Sequence, residues 1–229
     1  MRRRTMLKTL ASFAAPIAVA PGLVGRLSAA PALPASSDRI QCFGQSWLVR
    51  TAADWKADQA PDGAVLHLVV PRPQEANPRA PIQYALLDAP PADCFTLDVE
   101  VTSDTKSTSL IIVYAWKDAA HFNYVHLSTD TAQKQPVHNG VFHVYGGDRV
   151  RISGDVGPCA LASPTQWTQV RVVYDASTHL VETWIEGQLN QSLRGVDLSL
   201  GAGAIGLGSF FNTGSFRKFT FKPGACRPS

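Results

Sequence analysis

Tyr124, His126, His143, Tyr145 and Arg151 are the side chains of this chain best suited to hold or transform a ligand. An aromatic ring stacks on the C–H face of a pyranose, and imidazole and guanidinium groups bond hydroxyls or a carboxylate. In a stretch of β-structure successive side chains point to opposite faces. If Val125 and Leu127 look into a core, Tyr124, His126 and Ser128 look out; if Phe142 and Val144 look in, His143 and Tyr145 look out. Val150 and Ile152 likewise leave Arg149, Arg151 and Ser153 outside, and Tyr145-Gly146-Gly147-Asp148 reads as the hairpin turn between the last two runs. The five residues are therefore expected on one sheet face, as a ligand-binding surface for an oligo- or polysaccharide. A second chemistry fits the same set. Arg151 would neutralise a uronate carboxylate while a neutral His removes a proton and a Tyr returns one, which is lyase chemistry.

Such a face needs strands to carry it, and short β-branched and aromatic runs recur between Gly, Pro, Asn and Asp punctuation, with helical periodicity nearly absent. The runs are Gln45–Arg50, Ala64–Val70, Ile82–Leu87, Cys94–Thr102, Ser109–Trp116, His121–Ser128, Gly140–Gly146, Arg149–Ser153, Trp167–Asp175, Leu180–Glu186, Leu189–Leu193, Ala204–Phe210 and Phe216–Lys222. So many strands in one domain predict an all-β, two-sheet antiparallel jelly-roll sandwich. Phe95, Leu97, Val99 and Val101 share a core face, with Thr96, Asp98 and Glu100 on the wet one. The proline-rich tract Pro71–Pro81 is expected as an exposed loop, Ala53–Ala60 as a short helix, and Trp167 as a buried residue.

The segment His121-Phe122-Asn123-Tyr124-Val125-His126, followed by Asn139-Gly140-Val141 and Gly147-Asp148-Arg149, resembles the central strands of concanavalin A-like proteins. Further along come Trp167-Thr168-Gln169-Val170-Arg171-Val172, Thr183-Trp184-Ile185-Glu186-Gly187-Gln188, Ala204-Ile205-Gly206-Leu207-Gly208-Ser209 and the aromatic Phe216–Phe221. That order is similar to the concanavalin A-like lectin/glucanase superfamily, closest to its laminin-G-like, 3-keto-disaccharide hydrolase type. The resemblance covers roughly Ala64 to Lys222 and implies a carbohydrate-binding or carbohydrate-processing domain, with 3-keto-glycoside hydrolysis as the implied reaction. Family 16 glucanases proper need alternating carboxylates, Glu-x-Asp-x-Glu, because a retaining mechanism sets nucleophile and acid/base about 5.5 Å apart. No such run occurs here; Asp98/Glu100 and Glu182/Glu186 have the wrong spacing and read as solvated strand residues. The alternatives are a polysaccharide lyase acting on a uronate polymer and a non-catalytic structural domain of the cell envelope. No catalytic residue is assignable.

The N-terminus supplies the compartment. Arg3-Arg4-Thr5-Met6-Leu7-Lys8, a moderately apolar Leu10–Val24 and the small residues Ser28–Ala32 read as a twin-arginine signal peptide over residues 1–35, with the sandwich domain in 36–229. The product is expected in the periplasm or outside the cell. All five basic residues of that tail go without an acidic counterpart, so the body has 16 basic against 18 acidic residues, a formal charge of −2. A weakly acidic body without a basic stripe argues against nucleic-acid and anionic-membrane partners, and no later segment reaches transmembrane length. A monomer is expected. Cys42, Cys94, Cys159 and Cys226 are an even set bound for an oxidising compartment; the favoured pairing is Cys42–Cys226, leaving Cys94 with Cys159. Calcium supports many concanavalin A-like sandwiches, but the loop Asp and Asn residues form no ligand series, and neither metal nor cofactor is assigned.

Overall fold

A computed structural model describes residues 38–73, 79–106 and 108–224. Strand alternation builds two antiparallel sheets of eight strands each. The first runs, edge to edge, β1 (Asp38–Cys42), β2 (Gln45–Val49), β5 (Gln83–Leu87), β15 (Ala204–Ser209), β7 (Leu110–Asp118), β8 (His121–Leu127), β9 (Gly140–Tyr145) and β10 (Val150–Arg151). The second runs β13 (Gln188–Leu189), β12 (Leu180–Ile185), β11 (Thr168–Asp175), β6 (Cys94–Ser103), β16 (Gly214–Pro223), β4 (Gly63–Leu68) and β3 (Trp55–Ala60), with β14 (Gly195–Val196) paired to β12. The chain crosses between the sheets repeatedly, so each sheet is assembled from distant segments. The result is the expected sandwich.

Between the sheets lies the main core. Phe95, Leu97, Val99 and Val101 of β6, with Val170, Val172 and Tyr174 of β11, meet Trp47, Leu110, Ile112, Tyr114, Val125 and Leu127 from the first sheet. Each fully buried side chain of this kind contributes roughly 1.5–3 kcal/mol of transfer free energy, so this interleaving dominates the fold. Thr96, Asp98 and Glu100 take the opposite face, as alternation requires, where Arg171 reaches Asp98 at 2.6 Å and Arg217 reaches Glu100 at 2.7 Å. A second apolar cluster lies on the other side of the first sheet. It joins Leu48, Leu86, Ile111, Val113, Trp116, Phe122, Tyr124, Phe142 and Val144 to Ala80 and Phe210 from loops. The central strands of the first sheet are thus apolar on both faces.

That two-sidedness and local packing account for the departures from expectation. Ala53–Ala60 is no helix: a single 3-10 turn, Ala52–Asp54, leads into β3, which pairs along its whole length with β4. Pro71–Pro73 are exposed, whereas Ala80 and Pro81 are buried, Ala80 within the second cluster. The expected strand Leu189–Leu193 divides into β13 and a 3-10 turn, Gln191–Leu193, capped by the Asn190 side chain accepting from Ser192 N–H. Trp167 is half-buried outside both cores, its ring under the Arg217 guanidinium at 4.2 Å. At its position the Trp caps a wet sheet face; it does not fill the interior.

Neither expected disulfide forms. Cys42 ends β1 facing the main core, and both it and Cys159 are free thiols, which excludes Cys42–Cys226 and Cys94–Cys159. Cys94 is disulfide-bonded. The residue 1–35 signal segment and Cys226 lie outside the described residues.

Candidate functional site

The pairing of β8 with β9 decides which side chains meet. Directly opposite residues of an antiparallel pair share a face. His121 faces Tyr145, Asn123 faces His143 and Val125 faces Val141, while Tyr124 faces Phe142 and Phe122 faces Val144. Because Val125 and Val141 belong to the main core, Asn123, His143 and Tyr145 continue the sandwich side of the sheet toward its rim. Tyr124, His126 and Phe142 occupy the outer side, with Arg151, which pairs opposite Phe142. The five residues expected on one face are therefore split, three and two. Reading Phe142 and Val144 as inward failed because they fill a second core on the outer side of the same sheet.

At the rim, polar groups are chained from the interior outward. Asn123 is fully buried, and its Nδ2 donates to Asp197 Oδ2 at 2.8 Å. A carboxylate only accepts, so the amide must present Oδ1 to His143 Nδ1, 2.7 Å away, and that nitrogen carries the proton. Asp197 Oδ1 stands 3.8 Å from the same nitrogen. Asp197 also accepts from Ser199 N–H and Oγ at 3.0 and 2.6 Å and from Leu200 N–H at 3.2 Å. Burial pushes its carboxyl up, but the Ser199 and Asn123 hydrogen bonds and His143 together outweigh this and hold it below the usual carboxylate range. With Nδ1 fixed on Asn123, the ring turns Nε2 away from the relay.

Around that nitrogen the surface is aromatic and open. The Tyr145 ring is 61% exposed and stacks on His143 with centroids 5.6 Å apart and planes 24° apart. His121 meets the same tyrosine edge-on at 4.7 Å and is anchored by Asp118, 2.8 Å from its Nδ1. Val150, opposite His143, and Leu198, next to Asp197, are exposed apolar neighbours in the fold. The arrangement offers a stacking platform, an oriented imidazole and a second imidazole against the same tyrosine. Sequence reading found His143 and Tyr145 but missed Asn123 and Asp197; the Asp197-Leu198-Ser199 spacing, which lets a carboxylate bond the backbone two residues on, was the available signal.

The outer side is closed. Tyr124 is 0% exposed, stacked on Phe142 at 5.4 Å, and His126 is 1% exposed. His126 Nδ1 accepts from Asn139 N–H at 3.1 Å, which leaves its proton on Nε2. Burial, then His138, Arg149 and Arg151, hold that imidazole well below its usual range and keep it neutral. Arg151 spends its guanidinium on Pro136 O, His138 O, Asn139 O, Ser153 Oγ and Gly154 O. It clamps the 128–139 loop. Gly140 makes room for it: a Cβ there would lie 2.0 Å from Arg151 Nη1. At the far edge of the sheet a cavity of 280 Å³ is lined by Trp55, Ile82, Tyr84, Arg50 and Thr51, with Asp54 beneath it committed to Arg72 and Gln83. Among the described residues no three His, Cys, Asp or Glu side chains converge as metal ligands, and no helix is long and apolar enough to cross a membrane.

No family model and no curated protein matches this chain. Among solved structures it is similar to the carbohydrate binding module CBM66 from Bacillus subtilis, with TM-score 0.55 and 13% identity over 77% of this chain and 94% of that one. It is also similar to a protein provisionally assigned as a glycosyl hydrolase, from Parabacteroides distasonis, with TM-score 0.50 and 13% identity over 76% and 92%. At such identities the likeness is one of fold alone, a two-sheet antiparallel β-sandwich.

Proposed function

We propose that this chain is an exported, monomeric saccharide-binding domain whose sugar sits on the Tyr145 ring, with a hydroxyl bonded to His143 Nε2. The observation that carries the reading is the relay from buried Asp197 through Asn123 to His143, which fixes an imidazole beside an exposed aromatic face. Holding a ring in one orientation costs rotamer freedom and a buried carboxylate, an arrangement that serves recognition better than it serves packing. The fold's likeness to a carbohydrate binding module and to a provisional glycosyl hydrolase supports the same class of ligand. Export to the periplasm or beyond rests on Arg3-Arg4 and the apolar run behind it.

The relay also favours a processing role on 3-keto-glycosides. A carbonyl at C3 acidifies the hydrogen on C2; a base at His143 Nε2 that takes this proton would let the C1–O bond break, the aglycone leaving with the bonding electron pair and taking a proton from water, and water would then add across the C1=C2 bond that remains. The uronate-lyase alternative has less support, because Tyr124 and His126 are buried and Arg151 is occupied by carbonyl oxygens. A glycan array on the mature protein, followed by titration of the best ligand, tests binding. Tyr145→Ala and His143→Ala should each weaken it by about 10- to 150-fold, the equivalent of roughly 1.5–3 kcal/mol. Reducing-sugar release from ordinary and 3-keto glycosides tests processing, and His143→Gln should abolish it. Full affinity in both alanine variants would place the sugar elsewhere.

A further inference from the structure

The outer face of the second sheet meets water, yet two apolar side chains stand among its polar ones. Val172, Tyr174 and Val181 fill the main core, so alternation sends Val173 of β11 and Trp184 of β12 outward, where both are half-exposed beside Thr96, Asp98 and Arg171. Register sets them side by side. Trp184 lies opposite Arg171, which lies opposite Asp98, and in the next row Val173 lies between Glu182 and Thr96. Thr96, Gln169, Arg171, Val173, Trp184 and Gly187 line a depression of 460 Å³, within the range of about 300–1,000 Å³ usual for small-molecule sites.

One wall of the depression is a turn. Glu186 and Gly187 join β12 to β13 with φ of 49° and 76°, in the left-handed region that a residue with a Cβ takes only under constraint. The constraint is visible. Glu186 N–H donates to Gln169 O at 3.0 Å, and the Glu186 carboxylate accepts from Gln169 N–H at 2.7 Å, which pins the hairpin tip to the start of β11.

Beside this wall the Trp184 indole is bare. Trp167, also half-exposed, lies under the Arg217 guanidinium at 4.2 Å, whereas among the described residues no ring or cation covers Trp184 and nothing accepts from its Nε1–H. The charges near it are already neutralised, since Arg171 Nε donates to Asp98 Oδ1 at 2.6 Å and Arg194 Nε to Glu182 Oε1 at 3.0 Å. Hydrogen-bonding capacity remains. Among the described residues the terminal N–H groups of Arg171, the second oxygen of Asp98, the Thr96 hydroxyl and the Gln169 side-chain amide have no other partner. Donors and acceptors without net charge, around an uncovered ring face, suit a ligand built of C–H faces and hydroxyls. A carboxylate brought here would meet Asp98, Glu182 and Glu186.

We propose that this depression is a second saccharide site, which takes an uncharged pyranose of a neutral glycan. The C–H face of the sugar lies on the Trp184 indole, Arg171 donates to one hydroxyl, and Asp98 and the Gln169 amide accept from others. The site belongs to the second sheet and the Tyr145 rim to the first, so it does not depend on the saccharide reading there. A polysaccharide that presents many copies of the sugar gains avidity from two such points on one domain.

The test follows the indole N–H signals of the isotope-labelled mature protein by NMR, with the Trp184 signal assigned from Trp184→Phe. The probes are laminarihexaose, cellohexaose, maltohexaose and xylohexaose, with hexagalacturonate as the anionic comparator. At least one neutral hexaose should move the Trp184 signal, in the wild type and in Tyr145→Ala alike, and hexagalacturonate should not. Calorimetry in the Tyr145→Ala background then reads this site alone: Trp184→Ala should weaken binding by about tenfold or more and Arg171→Gln by about three- to tenfold. Arg39→Gln, on β1 of the first sheet, should match its parent. If Trp184→Ala fails to fold, Val173→Lys, which keeps the indole and fills the floor of the depression opposite Glu182, should show the same loss. The proposal is overturned if no neutral hexaose moves the Trp184 signal, if hexagalacturonate moves it instead, or if the Trp184→Ala and Val173→Lys variants bind as their parent does. Binding retained in Tyr145→Ala and lost in Val173→Lys would put the sugar here and not at the rim, so the two readings fail separately.

Discussion

Replacing Asn123 with Ala cuts the relay at its middle, and the structure fixes what is lost. The Asn123–Asp197 bond at 2.8 Å involves a carboxylate and is worth about 1.5–3 kcal/mol, and the Asn123–His143 bond at 2.7 Å about 0.5–1.5 kcal/mol. Asp197 retains Ser199 and Leu200 as donors, so its charge is not abandoned and the total cost should be about 2–4 kcal/mol. In a body of this size that corresponds to a thermal midpoint lower by about 5–15 °C. His143→Ala alone should cost only about 0.5–1.5 kcal/mol, since the imidazole sits at the rim and water can replace it at Asn123 Oδ1. Urea unfolding of the wild type, both single variants and the double variant isolates the coupling, expected at about 0.5–1.5 kcal/mol. Strict additivity would show that Asn123 and His143 do not share a bond, and the orientation argument for Nε2 would fall with it.

Two further outcomes follow from ionisation. Asp197 has its folded pKa held below the unfolded value of about 3.9, so the stability it contributes is present above that value and is lost as the pH falls through the folded pKa. Acid unfolding of Asp197→Asn should therefore have a shallower slope below about pH 4 than the wild type, and superimposable profiles would refute the linkage. Burial pushes the Cys42 thiol up to about 11, whereas Cys159 sits in a partly exposed loop. Alkylation of the native protein at pH 8 should label Cys159 and leave Cys42 unmodified until the protein unfolds; equal labelling of the two would contradict the burial of β1's last residue.

Alternation made the sandwich legible because most strands have one wet face: Phe95, Leu97, Val99 and Val101 against Thr96, Asp98 and Glu100 leave no choice of register. The same rule misplaced His143 and Tyr145. On β9 the sequence Val-Phe-His-Val is apolar on both sides, and period-two reasoning has no polar face to anchor it. The decisive facts are long-range: Phe210 and Ala80 come from distant loops to cover the outer side, and Asp197 comes from beyond β14 to hold Asn123 on the inner one. Cysteine pairing failed for a related reason, since placing Cys42 near the C-terminus assumed neighbouring end strands, whereas β1 lies in the first sheet and β16 in the second. Chemistry-bearing residues were found by type, but their grouping was set by which side of one sheet needed a second core. On this chain that second core divides the residues read as a single face, leaving an open imidazole at the rim and a caged tyrosine behind it.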